Sequence, residues 1–261
     1  MNVITSESRH FERSPGYLLA TLTAALFLAV GCESRQGPPP VSTDVAEAPR
    51  NSEVDAPRVE PRLCTAVAIL LDSSTSMNQS VRGSDGVERP KHEIAREALE
   101  RIIDQTAAQV KKRPDLSLEL GIFEFSSSIE EILPMARFEQ EKARAALRRV
   151  RPSSGTAIGR ALAAGFQSLG RTGCVRQHVI CITDGENTSG PSPDAIAREL
   201  HRKTQGEVAI HFVAFDTSAR RFGFLKNVNG TVVEAADGGE LDVRLLEIYS
   251  KRILAEAMPG E

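Results

Sequence analysis

From Cys64 to Leu71 the chain is almost wholly apolar, and the run stops at Asp72. A strand with one wet face alternates, so an unbroken run predicts a parallel strand covered on both faces. Val179 to Thr183, ending in Asp184-Gly185, and Val208 to Phe215 repeat the pattern. Leu116, Leu118 and Leu120 alternate with polar residues and lead into a strand at Ile122 to Phe125. Ile129 to Leu133, closed by Pro134, suits a short edge strand, and Thr231 to Glu234 another short one. Between these runs the period lengthens to that of helices. Ile94, Ala98 and Ile102, beside Leu99 and Ile103, stripe a helix from Lys91 to Val110, and a second covers Glu139 to Val150. Ile158, Leu162, Phe166 and Leu169 stripe a helix opening at Thr156; Ser192-Pro193-Asp194 opens another, and Glu240 to Leu254 is the last. Strands alternating with helices predict an α/β fold: a doubly wound, mostly parallel six-stranded sheet with helices on both faces.

In such a sheet of order 3-2-1-4-5-6, the first and fourth strands are neighbours whose connections leave toward opposite faces. That opens a crevice at their carboxyl ends. Asp72 follows the first strand and Asp184 the fourth, so residues far apart in sequence are expected to meet. Ser74 and Ser76, two apart in an extended turn, project the same way. Thr156 arrives from the start of a helix. Two carboxylates and three hydroxyls are an oxygen-only donor set, which suits a hard cation such as Mg²⁺, with Mn²⁺ or Ca²⁺ as alternatives. Each fragment alone reads equally well as a turn or a helix cap.

The conjunction Asp72-x-Ser74-x-Ser76, then Gly155-Thr156, then Thr183-Asp184-Gly185 resembles the metal-ion-dependent adhesion site of von Willebrand factor type A domains. The resemblance implies such a domain over residues 63–256, with 257–261 as a tail. It also implies roles: Ser74, Ser76 and Thr156 touch the metal, Asp72 and Asp184 bind it directly or through water, and a partner protein's carboxylate completes the shell. Thr75 stands where the family most often has Gly, at a position that is not a ligand.

The N-terminus carries a different signal. Arg9 and Arg13 precede an apolar run from Tyr17 to Val30, too short for a typical spanning helix but suited to the core of a signal peptide over residues 1–31. Leu28-Ala29-Val30-Gly31-Cys32 is similar to the lipobox of bacterial lipoproteins, with Ala29 where Leu is usual. This implies lipidation at Cys32 and a lipid-anchored protein of the bacterial cell envelope. Glu33 in place of Asp favours the outer membrane over the inner. The alternative is an uncleaved signal anchor. Residues 32–62, rich in Pro, Ser and Glu without apolar period, read as a tether.

Net charge is −3, from 32 basic and 35 acidic residues that intermingle, which argues against a nucleic-acid surface. Arg144, Arg148, Arg149 and Arg151 read as a solvated helix end. Cys64 starts the first strand and Cys174 lies just before the fourth, so a Cys64–Cys174 disulfide is feasible, with reduced thiols the alternative; Cys181 reads as a buried free thiol. An aspartyl-phosphate enzyme would need a second acid two residues after Asp72, and Ser74 is there. No phosphate loop, nucleophile elbow or His-Glu-x-x-His is present. The reading is therefore a non-enzymatic module that binds another protein through an acidic residue, held to a membrane by its lipid. A metal-dependent phosphoester hydrolase and a structural envelope domain whose site stays empty are the alternatives. The polar segment Asn78 to Arg89 borders the metal face and is expected to shape selectivity.

Overall fold

The computed structural model describes residues 60–257. The expected signal peptide, the lipidation at Cys32, most of the tether and the last residues of the tail lie outside them. Strand β1 (Arg62–Asp72) leads through a helical turn at Thr75–Asn78 into a small hairpin, β2 (Ser80–Arg82) and β3 (Glu88–Pro90). Then follow α1 (Lys91–Lys112), β4 (Leu118–Phe125), β5 (Ile129–Arg137), α2 (Gln140–Leu147), α3 (Ile158–Leu169) and β6 (Cys174–Thr183). The chain continues with α4 (Pro193–Lys203), β7 (Val208–Phe215), β8 (Gly230–Ala235) and α5 (Gly238–Ile248), which runs on as a wider π-type turn through Tyr249–Leu254.

The six main strands lie in the order β5-β4-β1-β6-β7-β8, antiparallel only between β4 and β5. In chain order that is 3-2-1-4-5-6, the doubly wound arrangement with its switch point between β1 and β6. The unbroken apolar runs have the expected cause. Val67, Ile69 and Leu71 of β1 pack with Ile94, Leu99 and Ile102 of α1 and Leu241 and Leu245 of α5. Ala66, Ala68 and Leu70 pack on the other face with Ile158, Leu162 and Phe166 of α3 and Ala197 of α4. From Cys64 onward every position of the central strand is buried.

Several boundaries depart from expectation. Pro134 does not end β5; the strand passes through it to Arg137. The β4–β5 register shifts between Leu120 and Phe123, opposite Pro134, so an edge strand absorbs a residue that cannot donate to the ladder. α2 stops at Leu147 rather than Val150. The last helix starts earlier, at Gly238, because Asp237 caps it by accepting from Glu240 N at 2.9 Å. Asn78 to Arg89 is not simple loop but holds the β2–β3 hairpin.

The end of the sheet where the parallel strands begin is closed by covalent and polar contacts. Cys64 of β1 and Cys174 of β6 form a disulfide with Cα atoms 4.8 Å apart, and Cys181 is free and buried. Arg62 laces the same end, donating through Nε to Thr172 O at 2.9 Å and through Nη2 to Glu119 Oε1 at 2.6 Å. Nearby, His178 of β6 and His211 of β7 are buried side by side, Nδ1 to Nε2 3.5 Å apart. His211 Nδ1 meets Thr231 Oγ1 at 2.9 Å, and His178 Nε2 lies 3.5 Å from Glu256 Oε2. One assignment of protons keeps both rings neutral: Thr231 donates to His211 and His211 to His178, which leaves His178 Nε2 buried beside the Glu256 carboxylate with no hydrogen-bond partner among the described residues. Burial, then the Arg176 charge, lowers the His178 pKa to about 4; burial, then His178 and Arg252, does the same to His211.

Candidate metal centre

The opposite end of the sheet holds the acids. β1 ends on Asp72, whose side chain falls on the α3 side of the sheet, in phase with Ala68 and Leu70. Its Oδ1 accepts from the Ser74 backbone N–H at 2.7 Å, which fixes the turn, and its Oδ2 accepts from Thr183 Oγ1 at 2.6 Å. The turn points Ser74 Oγ at Ser76 Oγ, 2.9 Å away, and Ser76 Oγ donates to Asp184 Oδ1 at 2.7 Å. A continuous row of oxygens thus crosses the crevice from β1 to β6.

Thr156 reaches the row from a third connection. The loop before α3 is sewn to its neighbours by backbone bonds: Ser153 N to Ser73 O at 2.7 Å, Ser127 N to Ser154 O at 2.9 Å and Ala157 N to Ser126 O at 2.7 Å. Gly155 permits the bend with φ +77°, where a side chain would also press on Ser127. α3 begins at Ile158 rather than at Thr156, which lies in the loop, its backbone N–H donating to Thr188 Oγ1 at 2.8 Å. A Cβ placed on Gly185 would stand 3.9 Å from both Ser76 Oγ and Thr156 Oγ1, so the two hydroxyls flank one spot. All five expected residues, Asp72, Ser74, Ser76, Thr156 and Asp184, are brought to the β1/β6 crevice.

Three contributors were not read from the sequence. Thr183 sat inside the quoted motif, but its hydroxyl serves Asp72 rather than the crevice. Lys91, the first residue of α1, is 2% exposed, and its Nζ donates to Asp184 Oδ2 at 2.9 Å and Asp216 Oδ2 at 2.8 Å. Asp216, just past β7, is the third. A signal for Lys91 existed: it falls in step with Ile94, Ala95, Ala98 and Ile102, so the buried stripe of α1 opens on a lysine. A charge in that phase asks for a buried partner.

The electrostatics are uneven. Asp72 is fully buried, and among the described residues no Lys, Arg or His pairs with it. Burial pushes its pKa up to about 6, with Asp184 adding to the rise and the hydrogen bonds from Thr183 and Ser74 opposing it. Asp184 has its ammonium and Asp72 has none. A divalent cation held by Asp72, Ser74, Ser76, Thr156 and Asp184 would supply what Asp72 lacks, and the donors are the hard oxygens such a cation takes. The residues present fit the group.

Residues 67–186 match the family model for the von Willebrand factor type A domain, a span that contains all five site residues. Over that span, which is under half of the chain, the sequence is similar to a von Willebrand factor type A domain. Solved structures agree on the fold. The PilB minor pilin from Streptococcus sanguinis superposes with a TM-score of 0.62 at 15% identity, covering 77% of this chain and 64% of the pilin. A von Willebrand factor type A protein from Catenulispora acidiphila gives 0.56 at 20% identity, over 72% of this chain and 42% of that one. BatB from Bacteroides thetaiotaomicron gives 0.54 at 20% identity, over 72% of this chain and 98% of BatB. The chain thus spans under two thirds of the pilin's length. A comparison with curated proteins finds no match. Type A domains typically mediate protein–protein interaction and are generally non-catalytic.

Proposed function

We propose that this type A domain binds another protein through a divalent cation, Mg²⁺ in the first instance, held at the β1/β6 crevice. The observation that carries the reading is Asp72: a fully buried carboxylate, 2.6 and 2.7 Å from neutral donors, without a basic partner among the described residues. A bound Mg²⁺ would contribute a Lewis-acidic position open to one external oxygen, and a carboxylate of the partner is the ligand of matching charge. Asp72 and Asp184 would supply the negative charge, and Ser74, Ser76 and Thr156 neutral hydroxyl oxygens. Thr183 and the Ser74 backbone N–H hold Asp72 in place from behind. Because short side chains on loops are few strong ligands, metal alone binds modestly, and metal and partner strengthen each other by the same factor.

The lipidated Cys32 and a tether would present this face from the bacterial envelope, a placement supported by the leader and lipobox-like sequence alone. An acidic partner residue is supported by the site's chemistry, and no second acid follows Asp72 to support hydrolysis. Capture from envelope extracts tests the function. Wild-type protein is expected to retain a partner with Mg²⁺ and release it to a chelator, and Asp72→Ala to retain none. Retention indifferent to chelator and to Asp72→Ala would overturn the reading.

A further inference from the structure

We propose that Lys91 is a built-in counter-cation of the metal centre, one that sets how tightly the centre takes Mg²⁺. The inference rests on the reading of the crevice as a divalent-cation site. An ammonium has three donors and no acceptor. Lys91 spends all three, on Asp184 Oδ2 at 2.9 Å, Asp216 Oδ2 at 2.8 Å and Gln79 Oε1 at 3.2 Å. These partners come from three different connections, after β6, after β7 and after β1. Asp216 reaches its place with φ +50°, a left-handed conformation that Asp tolerates better than most residues.

Two consequences follow from this placement. First, Lys91 decides which oxygen of Asp184 faces the hydroxyl row: Oδ2 is taken, so Oδ1 alone turns toward Ser76. Second, it is a permanent positive charge one carboxylate away from where a metal would sit. Carboxylate oxygens at 2.9 and 2.8 Å are the partners an ammonium takes, since it has only donors to offer. Three carboxylates, Asp72, Asp184 and Asp216, share one ammonium, so the cluster is short of positive charge. No neutral side chain offers three donors on one atom, and only a cation weakens the pull on the metal.

Charge, unlike packing, gives the two halves of the pair opposite effects. Calorimetric titration of MgCl₂ into wild type, Lys91→Met and Asp216→Asn reads them directly. Lys91→Met is expected to bind Mg²⁺ about ten-fold tighter or more. Asp216→Asn throws the whole ammonium charge onto Asp184 and is expected to bind several-fold weaker, by about three-fold or more. A purely structural lysine would weaken binding in both variants or change neither. Should Lys91→Met fold only when Mg²⁺ is present, the metal has replaced the ammonium, which supports the proposal. Should it fold in neither condition, Asp216→Asn decides alone: its exposed side chain can be altered without loss of the fold, and unchanged or tighter binding overturns the proposal. Equal affinity in all three proteins overturns it while leaving the metal site standing. No Mg²⁺ binding by any of them overturns the metal reading as well.

Discussion

The two ends of the central sheet solve opposite problems with the same strands. Where β1 and β6 begin, a disulfide joins them and Arg62 ties the flanking loops, and midway along β6 and β7 two buried imidazoles are kept neutral. Where β1 and β6 finish, nothing covalent joins them, and the buried groups are a carboxylate without a cation and an ammonium with two carboxylates. Stability is concentrated at one end, and unspent charge at the other. A binding site needs groups whose interactions are incomplete until the ligand arrives, and such groups cost stability meanwhile. The doubly wound order separates the two tasks by the full length of a strand.

The comparison breaks most visibly at the disulfide. Cys64→Ser with Cys174→Ser removes a cross-link spanning 110 residues, expected to cost about 3–5 kcal/mol and about 6–20 °C in Tm. Mg²⁺ affinity should stay within about two-fold of wild type. Thermal melts and calorimetry on the same samples check both halves, and a large loss of metal affinity would show that the ends are coupled.

The histidine pair comes next. His178 and His211 have folded pKa values near 4 against 6.5 unfolded, so the unfolded chain binds protons first. Their contribution is full above about pH 6.5 and is lost as pH falls toward 4, by about 2 kcal/mol or more in total. Denaturant melts between pH 7 and 4 should show that slope. In His178→Gln/His211→Gln the slope should flatten.

Asp72 runs the other way through the same window. Its folded pKa of about 6 lies above the unfolded 3.8, so its penalty is absent below about pH 4 and grows as pH rises through 6. Asp72→Asn keeps an acceptor for the Ser74 N–H and removes the charge. It is expected to raise metal-free stability at pH 7 by about 1–2 kcal/mol while abolishing Mg²⁺ binding. A destabilised, metal-binding Asp72→Asn would erase the contrast between the ends. The smallest effect belongs to Glu256→Gln: this carboxylate is half exposed, 3.5 Å from His178, and its loss should change stability by under about 0.5 kcal/mol.

The chain itself displayed much of this division. The unbroken runs at β1, β6 and β7 are legible because burial on both faces leaves no polar position, and the site acids are legible because each ends such a run. The course of β5 through Pro134 was not legible, since a proline on a bulged edge strand looks locally like a strand's end. The hairpin from Ser80 to Pro90 escaped because three-residue strands are too short to show a period. Lys91 and Asp216 each left a trace, one opening the buried stripe of α1 and the other ending the β7 run, yet their partnership escaped. Their pairing joins the first turn of α1 to the end of β7 across 125 positions, and only the assembled sheet brings them together. Thr183 was in view, but which neighbour a hydroxyl serves depends on the face its strand presents.

The central claim is that one divalent ion belongs among Asp72, Ser74, Ser76, Thr156 and Asp184. Crystals of the domain grown with Mn²⁺, measured for anomalous scattering at the manganese edge, test it most directly. The account predicts a single peak in the β1/β6 crevice, within coordination distance of Ser74 and Ser76, with Lys91 still on the far oxygen of Asp184. A crevice empty at saturating Mn²⁺, or a peak elsewhere on the domain, would contradict it.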